Sequence, residues 1–319
     1  MKIAYLGTPE FAVPTLRALI ESRHEVAAVI SQPDRPAGRG QRLAPTPVKA
    51  VALEAGIPVL QPESAKAPEF REELAALGVD AAVVVAYGQI LPAALLSVPR
   101  FGFLNVHASL LPKYRGAAPI QWAIARGERQ TGVTIMQIEA GLDSGPIIAA
   151  EAIDILDDDD ARSVADMLSI LGARMMVDVL DDIEAKGRVD STPQNHAEAT
   201  MAPMITRDDA RIDWNRAAED IICQIRGFVV WPGARTEREN EAIKILGAEG
   251  VPQDWTSADW RDERVSPGTV VEVLKGAGVV VKCGQGLVAL TRVQFPGKKP
   301  MDALDALNGG LLKVGDRLK

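Results

Sequence analysis

The run Ala81–Ala86, AAVVVA, constrains the fold more than any other stretch of the chain. Its six small or β-branched apolar residues leave no polar face for solvent. A strand with one wet face would alternate, whereas a continuous run belongs to a strand buried on both faces, the condition of a parallel sheet covered by helices. The surrounding residues fit that architecture. Lys2–Gly7 predicts a strand, Pro9–Ser22 a helix and Glu25–Ser31 a strand. After a long loop come a helix near 46–55, a strand at Ile57–Leu60 and a helix near 69–77, while Phe103–His107 and Val133–Ile138 predict further strands. This rhythm predicts an α/β fold with a Rossmann-like, mainly parallel sheet.

Ala161–Lys186 carries Val164, Leu168, Leu171, Met175 and Val179 at three- and four-residue steps, the period of a long helix. Asp157–Asp160 precede it and suit a helix N-terminus, where the macrodipole favours negative charge. Adjacent side chains do not converge, so no metal is expected there. Residues 188–210 are polar and hold Pro193 and Pro203, a linker composition. Beyond them, β-rich runs at 241–247, 268–274, 278–283 and 286–295 are separated by Gly and Pro and predict a small barrel. The expected organisation is a first domain over 1–187, a linker over 188–207 and a β-barrel domain over 208–319.

The net charge of −8 lies entirely in residues 1–205, and 206–319 are balanced. A general nucleic-acid binder would be basic, so any such contact must be local. One segment permits it: 34–49 holds Arg35, Arg39, Arg42 and Lys49 against Asp34 alone. The opening MKIAYLGTPEF is expected to be a first strand and not a signal peptide, and no apolar run nears the roughly 18 residues of a membrane span. Cys223 and Cys283 offer no ligand spacing, so a reducing, cytoplasmic setting is expected.

In an α/β sheet, ligands sit beyond the carboxyl ends of the strands. Gly7-Thr8-Pro9-Glu10 follows the first strand without the glycine fingerprint of dinucleotide binding, and Gly38-x-Gly40 sits in a loop without the matching context. A nicotinamide oxidoreductase thereby loses its main support. Asn105-Val106-His107 closes a strand, and residues two apart face the same side. Of the other two histidines, His24 and His196 have polar neighbours and are expected at the surface. Asp143, between Gly141 and Gly145, is either a turn residue bonded to its own backbone or a carboxylate set beside His107. Asn, His and Asp make a poor nucleophile set, and there is no GxSxG elbow. They suit direct acyl transfer to an amine: Asn and His donate to an oxyanion, and Asp relays the proton lost by the attacking amine.

The chain resembles the methionyl-tRNA formyltransferase family along its length. GTPEFA, Asn105-x-His107, SLLPKYRGAAPIQWAI (109–124), GVTIMQIEAGLDSGPI (132–147), ARIDW (210–214), Trp231-Pro232-Gly233 and FPGKKPMDALDALN (295–308) carry the resemblance. It implies 10-formyltetrahydrofolate as co-substrate, initiator methionyl-tRNA as partner, no metal, no membrane, and a monomer. It implies that Asn105, His107 and Asp143 are the catalytic trio. Folate would be bound by Ser109, Leu110, Leu111 and Pro112, together with Gly88, Gln89, Ile90 and Leu91. Contacts to tRNA would come from Arg42, Arg39, Lys49 and Arg207, and from a C-terminal barrel of the oligonucleotide/oligosaccharide-binding (OB-like) type. Two stretches depart from the family pattern: Met204 and Arg207 stand where lysines are usual, and Val229-Val230 precede Trp231-Pro232. A folate enzyme acting on a small amine would share the N-terminal logic without needing the second domain, and a tRNA-binding module would not need the trio.

Overall fold

The computed structural model describes residues 1–37, 42–251, 264–274, 276 and 278–319, excepting the side chains of Ala37 and Arg42. Among the described residues, nine strands belong to the N-terminal part: β1 (Lys2–Gly7), β2 (Glu25–Ile30), β3 (Arg35–Ala37), β4 (Arg42–Ala44), β5 (Val59–Leu60), β6 (Ala81–Val85), β7 (Phe103–His107), β8 (Gln130–Gln137) and β9 (Ile147–Asp154). The helices among and after them are α1 (Val13–Glu21), α2 (Pro47–Glu54), α3 (Pro68–Ala76), α4 (Ala93–Leu96), α5 (Pro119–Ala125) and α6 (Ala161–Lys186). There follow α7 (Ala218–Phe228), β10 (Arg235–Arg238), β11 (Glu241–Gly250), β12 (Val270–Leu274), β13 (Gly278–Lys282), β14 (Leu287–Gln294), β15 (Met301–Asp302) and α8 (Ala303–Asn308).

The first sheet has the order β5-β2-β1-β6-β7-β8-β9. It is parallel from β5 to β7 and antiparallel at β7/β8 and β8/β9. All five residues of β6 are buried, as the apolar run requires. The chain leaves β1 toward β2 and β5, then returns to β6 on the other side of β1. That reversal creates the crevice where α/β sheets take ligands, beyond the carboxyl ends of β1 and β6. The loops there are tied together: the Tyr87 carbonyl accepts from Thr8 Oγ1 at 3.0 Å and from Gln32 Nε2 at 3.2 Å.

Local chemistry explains the helix starts. Thr46 caps α2 by accepting from Lys49 N, with Pro47 at the first helical position. Asp160 Oδ1 accepts from the amides of Arg162 and Ser163 and so caps α6. Asp159 accepts from Leu156 N, and Asp157 pairs with Arg129. The acidic run is therefore helix-start and ion-pair chemistry. Gly172 lets α6 lie close against β7, since a Cβ there would stand 2.5 Å from Val106 Cγ1.

The chain divides into two compact units, one of residues 1–119, 130–154 and 165–202, the other of 120–129, 155–164 and 203–319. The polar stretch after α6 does not hang free. Thr192 and Ile147 exchange two 2.8 Å backbone bonds, and Ala202 N donates to Arg115 O at 2.7 Å. In the second unit, β10-β11-β14-β13-β12 form an antiparallel path with β15 added to β14. Among the described residues this path does not close into a ring. Trp214, Ile221, Ile225, Ile243, Val281 and Leu290 belong to its core. The Trp214 indole is satisfied by Thr236 Oγ1 at 2.9 Å.

His24 corrects an expectation: it is buried, only 5% exposed. Its Nδ1 meets the Met1 ammonium at 3.2 Å and its Nε2 lies 3.1 Å from Asp181, a partner from α6 that its sequence neighbours could not reveal. Burial is the main cause that lowers its pKa. His196 is exposed, as expected. No helix of the described residues is long and apolar enough to cross a membrane.

Candidate functional site

Alternation along β7 sets the site. Val106 faces α6 at Gly172, so Asn105 and His107 face the opposite side of the sheet. Asn105 pairs with Val84 on β6 and Met136 on β8, and His107 with Thr134 on β8. Asn105 is half-buried and His107 buried. The loop between β8 and β9 folds over this face and brings the Asp143 Oδ2 to 3.8 Å from His107 Nδ1. The other ring nitrogen, Nε2, lies 3.0 Å from the Tyr114 carbonyl. A carbonyl only accepts, so Nε2 carries a proton, and Nδ1 is the nitrogen left facing Asp143 and the open side.

Asp143 is held in a left-handed conformation, φ +48, which is costly for a residue with a Cβ. Its neighbours accommodate the bend. Gly141 has φ +136, and a Cβ on Gly145 would stand 1.9 Å from the Gln137 carbonyl. Oδ2 of Asp143 also accepts from Gly116 N at 2.8 Å. Asp143 is thus a strained turn residue whose carboxylate serves Gly116, 27 residues away, and faces the imidazole, in place of the local backbone bond that its turn context offered.

The segment after β7 is built around one buried threonine. Thr134 Oγ1 accepts from Leu111 N at 3.1 Å and donates to Ser109 O at 2.7 Å. Ser109 Oγ donates to Lys113 O at 2.7 Å, and Leu111–Pro112 is cis. Ser109 and Leu111 are buried, while Leu110 and Pro112 are half-buried. The Ser109 hydroxyl is thus committed to the turn and is not poised as a nucleophile. Across the crevice, Gly88 has φ +87. Gln89 is occupied, accepting from Ala65 N at 2.6 Å. Leu91 packs on the cluster containing Phe70 and Leu95. Ile90, 80% exposed, is the apolar side chain this loop leaves open.

The basic segment is less of a loop than its sequence suggested. β3 and β4 pair as a short antiparallel ladder, Arg35 opposite Ala44 and Ala37 opposite Arg42. Arg39, with Gly38 and Gly40, lies outside the described residues. Lys49 is anchored at the ladder's base: Nζ is 2.7 Å from both Asp34 Oδ2 and Gln61 Oε1. Hydrogen bonds from Lys49 and Gln61 hold the Asp34 carboxyl below its usual range. Arg207 is exposed in the second unit. Among the described residues, one group of His, Asp and Glu has donor atoms close enough for a metal: His24, Asp181 and Glu184. It lies at the amino end of β1 and β2 and is already occupied by the Met1 ammonium and Arg23.

Sequence reasoning missed Thr134, Arg115, Gly116 and Gln194. Each acts through a partner 20 or more residues away, which no local pattern encodes. The GLDSG glycines alone hinted at a supported turn.

Fold and site together define the formyl transferase class: residues 1–180 match the family model described as formyl transferase, and residues 204–311 that of the formyl transferase C-terminal domain. The methionyl-tRNA formyltransferase of Sulfurihydrogenibium sp. (strain YO3AOP1) is 46% identical over 320 residues, covering all of both chains. That of Methylococcus capsulatus is 47% identical over 318 residues, covering 100% of this chain and 99% of its own. The chain belongs to the methionyl-tRNA formyltransferase family. Among solved structures, HypX from Aquifex aeolicus in complex with tetrahydrofolic acid shares the fold, with a TM-score of 0.64 at 18% identity. The match covers 98% of this chain and 48% of HypX.

Proposed function

We propose that this chain transfers the formyl group of 10-formyltetrahydrofolate to the α-amino group of initiator methionyl-tRNA, giving N-formylmethionyl-tRNA and tetrahydrofolate. The observation that carries the mechanism is the division of labour at His107: Nε2 committed to the Tyr114 carbonyl, Nδ1 facing Asp143. The substrate amine has a reference pKa of about 8, lowered further by its ester, so much of it is neutral near pH 7 without a strong base. Its lone pair attacks the formyl carbon, and the carbonyl π electrons move onto oxygen. The Asn105 amide donates to that oxyanion. His107 takes the amine's surplus proton at Nδ1, where Asp143 stabilises the charged ring, and the resulting N–H is a second donor to the oxyanion. When the intermediate collapses, the bond from carbon to N10 breaks and the proton passes to N10. The 3.8 Å separation is longer than a hydrogen bond, as expected of a site that tightens around its reactants.

The folate lies in the crevice between the 88–91 loop and the 109–112 segment, with its flat ring against Ile90. Arg39, Arg42 on β4 and Arg207 in the second unit meet tRNA phosphates, whereas Lys49 acts by anchoring the β3–β4 ladder. The chain works as a monomer in the cytoplasm, where Cys223 and Cys283 remain free thiols. Its working division is 1–187 for chemistry and 208–319 for tRNA, joined through 188–207. The test is incubation with 10-formyltetrahydrofolate and either charged or uncharged initiator tRNA. Formyl should appear only on the charged species, and transfer to neither would refute the proposal. Arg42→Ala should raise KM for the tRNA and leave KM for the folate unchanged; equal effects on both would remove the ladder from the tRNA site.

A further inference from the structure

We infer that Gln194 is a positioning residue for Asp143, and that Arg115 fixes Gln194 for this task; the inference rests on the role proposed for Asp143. Gln194 lies in the polar stretch after α6, yet it is buried, 6% exposed. Its amide nitrogen donates to two carbonyls of the catalytic loop, Asp143 O at 2.9 Å and Gly145 O at 2.7 Å. Both amide hydrogens are thereby used on the two peptide groups that flank the bend. On the other side, Gln194 Oε1 accepts from Arg115 Nε at 3.1 Å and Nη2 at 2.5 Å. A guanidinium only donates, so the amide oxygen must face Arg115 and the NH₂ must face the loop. The buried Arg115 thus settles the amide's orientation and polarises it toward stronger donation.

The next residue, Gly116, grips Asp143 from the side-chain end through its amide. Asp143 is therefore held at its carboxylate by Gly116 and at its carbonyl by Gln194. The left-handed backbone at Asp143 is strained for a residue with a Cβ and persists only where surroundings over-determine it. Gln194 is not needed merely to staple its own segment. That segment already makes backbone bonds to Ile147 and Arg115 from Thr192, Thr200 and Ala202. What Gln194 adds is the pair of bonds to the loop carrying Asp143.

Two variants remove the donors while preserving length. Gln194→Met is neutral, and Gln194→Glu keeps the acceptor for Arg115 but turns a carboxylate oxygen toward the loop carbonyls. Exchange of the Gly116 amide should accelerate about tenfold or more in both, because its acceptor is no longer held. At saturating substrates kcat should fall about 10–100-fold, the scale of a small misplacement at a reacting site, with KM for folate and tRNA within about threefold. In an Asp143→Ala background, Gln194→Glu should cost less than about twofold, since residues acting through one another are non-additive. Should Gln194→Met fail to fold, Gln194→Glu alone carries the comparison. Unchanged Gly116 exchange would overturn the inference, as would equal kcat losses in both backgrounds. Faster exchange with undiminished kcat would uphold the clamp and count instead against the role proposed for Asp143.

Discussion

Replacing Thr134 by valine would test how the segment after β7 is built. The side chain is fully buried, and its hydroxyl serves Leu111 N and Ser109 O at once. Valine fills nearly the same volume, so cavity effects are small and the change isolates the hydroxyl. It leaves one buried N–H and one buried C=O without that partner, at about 1–3 kcal/mol each. The expected loss is about 2–6 kcal/mol. For a unit of this size that corresponds to a fall in the melting transition of roughly 5–25 °C, read by scanning calorimetry. Thr134→Ser keeps both bonds and loses one methyl, so it should cost about 1 kcal/mol. Because Leu111 and Ser109 belong to the proposed folate segment, the valine variant should also raise KM for 10-formyltetrahydrofolate severalfold and leave that for the tRNA unchanged. Equal stability losses in the serine and valine variants would refute the reasoning, since packing and not the hydroxyl would then hold the segment.

Gly145→Ala should lower kcat by at least about tenfold in a formylation assay, because the new methyl meets the Gln137 carbonyl backbone at 1.9 Å and must displace the loop carrying Asp143. The Asp34–Lys49 pair gives a pH signature. Because the folded-state pKa of Asp34 is lowered, its stabilisation is present above the unfolded carboxylate value of about 3.9 and is lost as pH falls through the lower folded value. In denaturation, Lys49→Met should therefore be less stable than the parent at pH 7, with the gap closing below about pH 4. The same variant should raise KM for the tRNA without a direct phosphate contact being lost.

The sheet was legible where strands are buried on both faces. Ala81–Val85 and the apolar residues of Phe103–His107 carry their burial in composition, while Ala86 at the end of the run is exposed. β9, IIAAEAID, is an edge strand with four of its residues exposed, and its alanines and acids give little strand signal; pairing to β8 makes it a strand. β10, RTER, is polar and is likewise a strand through β11. The β3–β4 pairing was hidden by Pro36, which is tolerated on a two-stranded ladder. At the site, Asn105 and His107 could be paired from a two-residue spacing alone. The tautomer of His107 could not, because it is set by a backbone carbonyl seven residues on. Gln194 and Arg115 were illegible because 79 residues separate them and the other bonds of Gln194 end on main-chain carbonyls.

The central claim is that His107 and Asp143, with Asn105, carry formyl transfer. The most direct test is the rate of transfer from 10-formyltetrahydrofolate to methionyl-tRNA by His107→Ala at saturating substrates, with circular dichroism confirming the fold. The expected result is a kcat about 10²–10³-fold below the parent. Near-parental turnover in a folded variant would contradict the account.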